Sequence, residues 1–370
     1  MLKRLLFTTV ILSVLIGMFH PKLYAQTNTQ QPTKIYRTST SHFQKELVAE
    51  LPPFHFARMS PSTSFLYLER IGATKKDPTT SYLYEMKTKK LVKLNGLGKW
   101  YPKSDKLVLL EGGNLVRFDP VSGKKDTLVT GSKDGPILDF AVSPDENYMA
   151  FFTNSHIDNR SEQLLYLQHL PTLKMKVNDR FQSEYQKNRF SPSFQWMPNS
   201  KKLFYKAGET VKELDMPTGL KYVHKLMKMP SYSADLKYGL ETNQSGNVLK
   251  KLDDGKTLLV GQYSGSISQG LLDDEVWAPF GHSFVANEFL YTSNAQDSYV
   301  RFRYQDGEKG QYFPKDSYGE PSLFLYDNIR FIGWSQDAKW MYTADLNSIH
   351  CFSYEDRCTP ESNNLLVIEP

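Results

Sequence analysis

The chain has 370 residues, 40% apolar and 23% charged, a balance that excludes an intrinsically disordered protein and a bundle of membrane-spanning helices. The formal net charge is only +5 and no basic run is long enough to form the concentrated positive face that nucleic acid requires. The 22 Tyr and 22 Phe favour strands over helices, and the length suits one large all-β domain or two ordinary ones.

The first segment reads as an export signal over residues 1–25. Lys3 and Arg4 precede an apolar run from Leu5 to Phe19, Pro21 ends it, and Ala25 offers a small residue before Gln26. Leu23 departs from the small-residue rule three positions before the cut, so retention as an anchor stays open beside cleavage. The run is shorter than the roughly 20 residues that span a bilayer. Cleavage leaves no stable membrane span, removes Lys3, Arg4 and Lys22, and lowers the charge to +2. No cysteine follows the run, so a lipid anchor has no support. The expected location is outside the cytoplasm, secreted or in the cell envelope.

Residues 26–51 form a linker with a candidate edge strand. Gln26 to Thr33 is polar, and Lys34 to Arg37 is the stretch that can add to a sheet.

From residue 52 to 370 a turn signature recurs about seven times, each copy followed by a short apolar strand. The clearest is Val142-Ser143-Pro144-Asp145-Glu146-Asn147-Tyr148-Met149-Ala150-Phe151. Others run from Met59 to Tyr67, from Trp196 to Phe204 and from Trp334 to Tyr342, with weaker copies at Tyr101, Tyr232 and Ser283. Proline presets φ in such a turn, and Asp or Asn bonds its own backbone. Third strands such as Leu83–Met86, Leu115–Phe118 and Ile349–Phe352 lead to a second tight turn, then to a short fourth strand. Four strands per unit of about 40 residues is the plan of a β-propeller blade, which hides its faces against its neighbours. The expected fold is therefore an all-β propeller of seven four-stranded blades. The last unit is expected to supply its own fourth strand at Leu365–Ile368, so that no exchange between chain ends is needed.

The Ser-Pro-Asp turn followed by Lys or Asn and an apolar strand resembles the TolB-type, WD40-like propeller repeat. The same repeat occurs in the propeller domains of prolyl oligopeptidase and dipeptidyl peptidase relatives. The resemblance is clearest in the units containing Pro61, Pro144, Pro198 and Asp337. It implies a fold and carries no catalytic residue. The chain lacks room for the α/β domains those relatives add.

Motifs for chemistry are sparse. Gly261-Gln262-Tyr263-Ser264-Gly265 misplaces the serine of a nucleophile elbow, and no two histidines share a ligand spacing. Asp273-Asp274-Glu275 lacks the alternating oxygens of a calcium loop and reads as a solvated loop. No catalytic residue, metal site or cofactor is assigned. Cys351 and Cys358 flank a hairpin around Tyr354-Glu355, where they form either a disulfide or two free thiols.

Strand order places short turns at one end of every blade and variable connections at the other. Binding residues concentrate on variable loops held by a rigid scaffold. The candidate binding residues are Lys75, His156, Arg160, Arg189, Tyr263, Trp277 and Tyr318. The other reading of Trp277, as of each aromatic here, is inter-blade packing. Arg58, Trp100, Gln195 and His282 are candidates for the channel wall. The expected role is a non-catalytic scaffold for a protein, peptide or glycan. The alternative is a hydrolase or lyase with its site at the propeller mouth.

Overall fold

The computed structural model describes residues 31–40, 44–72, 78–131, 135–157, 160–182, 194–207, 210–224, 229–243, 246–262, 277–281, 284–291, 296–303, 329–346, 349–352 and 357–360. Every regular element among them is a strand, and none is a helix able to cross a membrane.

Two strands precede the repeats, β1 (Thr33–Ser39) and β2 (Lys45–Leu51). Blade one is β3 (Phe56–Met59), β4 (Phe65–Arg70), β5 (Thr80–Glu85) and β6 (Lys90–Leu94). Blade two is β7 (Leu97–Trp100), β8 (Leu107–Glu111), β9 (Asn114–Phe118) and β10 (Lys125–Val129). Blade three is β11 (Ile137–Val142), β12 (Tyr148–Ile157), β13 (Arg160–His169) and β14 (Lys174–Gln182). Blade four is β15 (Phe194–Trp196), β16 (Lys202–Ala207), β17 (Thr210–Asp215) and β18 (Lys221–His224). Blade five is β19 (Ser231–Tyr232), β20 (Tyr238–Asn243), β21 (Gly246–Lys251) and β22 (Thr257–Gln262). A two-stranded ladder follows, β23 (Phe284–Tyr291) with β24 (Gln296–Arg303). Then come β25 (Ile329–Trp334) and β26 (Trp340–Asp345), and a hairpin of β27 (Ile349–Phe352) with β28 (Arg357–Pro360).

The fold is a β-propeller of antiparallel blades. Among the described residues six sheets are four-stranded, and within the unit expected at 276–326, β23 and β24 form a two-stranded sheet. One detail corrects the sequence reading: the chain ends do exchange strands. The closing blade has the order β2-β1-β26-β25, with Ile35 opposite Ala344 and Thr38 opposite Met341. The expected third strand, Ile349–Phe352, pairs instead with β28, and Leu365–Ile368 lies outside the described residues. The physical reason is burial. Ile35 and Thr38 are fully buried in β1, so this strand has a core face to contribute, which its mixed composition disguised.

The repeated turn explains why each blade starts as it does. The Ser143 hydroxyl donates to Asp145 and accepts from the Tyr148 amide at 2.9 Å, while the Asn147 amide donates to Asp145 at 3.1 Å. Ser233 with Asp235 and Ser335 with Asp337 repeat the same three bonds. In each copy the residue after the Asp has a positive φ, 60° at Glu146, 57° at Leu236 and 55° at Ala338. Ser60, Ser143 and Ser233 are essentially inaccessible, so their hydroxyls satisfy backbone groups that burial would otherwise leave unpaired.

Apolar clusters lie between blades. Tyr67 and Leu83 of blade one pack on Leu107 and Leu109 of blade two. Met149 and Phe151 of blade three pack on Val108 and Leu128 of blade two. Phe152 and Leu165 of blade three meet Leu203 and Tyr205 of blade four, and the Phe152 and Phe194 rings stack at 4.3 Å. The ring closes where Ile332 and Ala344 join Met59 and Leu66. A Cβ on Gly333 would sit 2.8 Å from that of Met59, so glycine lets the first and last inner strands approach. Trp196, before its turn, is buried in the seam between blades three and four, and Trp334, before its own, is buried against the Phe331 ring.

Candidate functional site

The two ends of the propeller are built differently. At the turn end, neighbouring blades are stitched together. The Ser62 amide donates to Asp105, and the Lys103 and Ser104 amides both donate to Glu146 at 2.8 Å. The Asp145 amide donates to the Ser200 hydroxyl at 2.9 Å. Carboxylates and hydroxyls here are consumed by structure.

The other end carries an extension from blade three. The second strands β4, β12, β16, β20 and β26 all begin five residues after the first residue of their turns. Four of them have 6 residues, whereas β12 has 10 and pairs throughout with a 10-residue β13. The extra length therefore lies at the far end. Four more residues at about 3.3 Å each raise this hairpin roughly 13 Å beyond its neighbours. His156 opposite Ser161 and Ile157 opposite Arg160 form its last rungs. The sequence reading placed His156 and Arg160 on a variable loop; they stand on paired strands of a projecting arm.

Charged groups gather at the inner wall of blades one to three. Arg58 lies over the Phe56 ring at 4.6 Å. Lys99 of β7 pairs with Asp139 of β11 at 2.7 Å, with both side chains partly open to solvent. Behind them the Tyr67 hydroxyl donates to Glu69 at 2.6 Å and accepts from the Gly98 amide at 2.8 Å. Burial pushes the Glu69 carboxyl above its ordinary range, a rise opposed by the Tyr67 bond and by the charges of Arg58 and Lys99. Burial likewise pushes the Tyr67 phenol up. The cluster can offer charged and polar contacts to a ligand in the channel. Among the described residues no group of three or more His, Cys, Asp or Glu could hold a metal ion. Glu69, Lys99 and Asp139 were not singled out from the sequence, because contacts across three blades leave no spacing to read.

Of the channel candidates, Arg58 and Trp100 are brought together. The Trp100 indole donates to the Arg58 carbonyl at 3.2 Å, and its ring packs against the cluster between blades one and two. The Gln195 amide lies 3.4 Å from the Trp196 carbonyl oxygen. Trp277 is partly buried, and its indole donates to the Ser231 hydroxyl of blade five at 3.0 Å, an inter-blade bond. Lys75, Arg189, Tyr263, His282 and Tyr318 lie outside the described residues. Cys351 and Cys358 are directly opposed in the ladder of β27 and β28.

No protein-family model matches the chain, and no curated protein matches it. Solved structures similar to it include TolB from Acinetobacter baumannii, 14% identical with a TM-score of 0.38, covering 76% of this chain and 79% of that one. Another is dipeptidyl peptidase 4 from Porphyromonas gingivalis, 9% identical with a TM-score of 0.48, covering 88% of this chain and 57% of that one. A third is an oligogalacturonate lyase in complex with manganese, 12% identical with a TM-score of 0.37, covering 80% of this chain and 96% of that one. The likeness at these identities is one of overall fold, and the β-propeller itself is read from the four-stranded antiparallel blades of this chain.

Proposed function

We propose that the chain is an extracytoplasmic binding propeller without a catalytic role, engaging a protein, peptide or glycan at the end that carries the blade-three hairpin. The observation that supports this is the asymmetry of strand length: one hairpin rises about 13 Å above a ring of short blades. A rigid paired arm presents side chains at low entropic cost and enlarges the surface available to a partner. The contact residues are His156 and Arg160 on the arm, with Lys75, Arg189, Tyr263 and Tyr318 on the connections. Trp277 acts chiefly through its bond to Ser231. The export signal read over residues 1–25 supports a location outside the cytoplasm.

A photo-crosslinking residue at position 157, at the end of β12, tests this against one at position 339, at the turn end. Capture of a discrete envelope component from position 157 alone is the expected result. Capture from position 339 alone refutes the face assignment. One observation favours the rival hydrolase or lyase reading, the partly buried Glu69 carboxyl, raised by desolvation beside Arg58 and Lys99 at the channel wall. Turnover of any glycan or peptide substrate that Glu69→Gln abolishes would establish it.

A further inference from the structure

Blade three differs from the others at its rim as well as at its arm. Its outer strand β14 has 9 residues; the outer strands of the other blades have 4 to 7. No strand pairs with its outer edge among the described residues. Met175 and Val177 alternate along it with 50% and 42% of their surface exposed, and Leu173, in the turn just before it, is 51% exposed. The register explains why Met175 and Val177 share a side. Met175 lies opposite Gln168 and Val177 opposite Tyr166, both of which turn toward blade two. Lys174 and Lys176 fall on the opposite side, facing solvent near blade four. A bulge at Asn178 interrupts the ladder, which resumes from Asp179 to Gln182. The one acid of the strand, Asp179, is already bonded to Tyr205, Lys212 and Lys221 of blade four.

We propose that the stretch from Lys174 to Val177 is a strand-addition site for an extended acidic peptide segment of a partner protein. An added antiparallel strand would satisfy the open backbone groups of β14, and its alternate side chains would read the two faces. Apolar residues would cover Met175 and Val177. Asp or Glu at the intervening positions would meet Lys174 and Lys176. Edge lysines also deter unwanted pairing. Here they do so selectively, since a second copy of β14 would set lysine against lysine, whereas an acidic strand gains from both. The apolar stripe is what a purely deterrent edge would lack. This proposal does not depend on the arm reading, because the site is on the rim.

The test uses the full mature chain and a fluorescent peptide of about six residues in which valine and glutamate alternate. Saturable binding by fluorescence anisotropy is expected. It should weaken at least about tenfold in Lys174→Glu/Lys176→Glu, which should in turn prefer an alternating valine–lysine peptide. Hydrogen exchange at the amides of 174–177 should slow on peptide addition. An Arg160→Ala variant should bind the peptide as the wild type does, which separates this site from the arm. Absence of saturable binding overturns the proposal. So does equal binding of a scrambled peptide of the same composition, or unchanged affinity in the charge-reversed variant.

Discussion

Asp179 offers the sharpest test of how the blades are held together. It stands on β14, with its side chain 10% exposed, and takes three donors from blade four: Tyr205 at 2.7 Å, Lys212 at 2.8 Å and Lys221 at 3.1 Å. Burial pushes its carboxyl up, but the bonds from Lys212, Tyr205 and Lys221 outweigh this and hold it below its ordinary range. A hydrogen bond to a charged group contributes about 1.5 to 3 kcal/mol, and Lys212, with its side chain 22% exposed, qualifies. Lys221 is 40% exposed, so solvent screening reduces its share to below about 1 kcal/mol. Asp179→Ala also strands the Tyr205 hydroxyl and the Lys212 ammonium, and we expect a loss of about 3 kcal/mol in urea denaturation. Asp179→Asn keeps an acceptor for Tyr205 and should lose about 2 kcal/mol. A double-mutant cycle with Lys212→Met should show coupling above about 1 kcal/mol, and one with Lys221→Met much less. The folded carboxyl is the more acidic, so its contribution is present above the unfolded pKa and is lost as pH falls through the folded value. A loss under about 0.5 kcal/mol in Asp179→Ala, or equal coupling to both lysines, refutes this account.

Three further outcomes are expected. His55 accepts the Ile71 amide on Nδ1 and is buried with Nε2 unpartnered; burial, with the nearby Arg70 charge, holds its pKa down to about 4. The unfolded chain then binds the proton first, so up to about 3 kcal/mol of stability should drain away between pH 6.5 and 4. Melting curves of His55→Leu should show a shallower pH slope, and an identical slope counts against the argument. At the positive φ of 55°, Ala338→Gly should gain up to about 1 kcal/mol by relieving backbone strain, which calorimetry can read and a loss would contradict. Directly opposed Cys351 and Cys358 should form a disulfide in exported protein, seen as a mass two hydrogens lower than after reduction; equal masses mean free thiols.

The parts of the architecture that were legible are those written locally. Ser143, Asp145 and Asn147 bond within one turn, so their spacing survives in the sequence, and so do the strands that start after them. The strand exchange was not legible because β1 follows no such turn and shows its apolar face only against β26. The arm was misread for a related reason. Asn154, Ser155 and His156 are polar and look like a loop, yet the ladder with β13 runs on through them. The wall cluster of Glu69, Lys99 and Asp139 draws on three blades, and only the closed ring sets them side by side.

The mixed blade at the seam has a consequence for how the protein is made. Thr40 bonds to Ala338, a residue 298 positions further along the chain. Until both stretches are available the circle has a gap, and the earlier blades wait with one flank uncovered. Such remote pairing makes the final step slow.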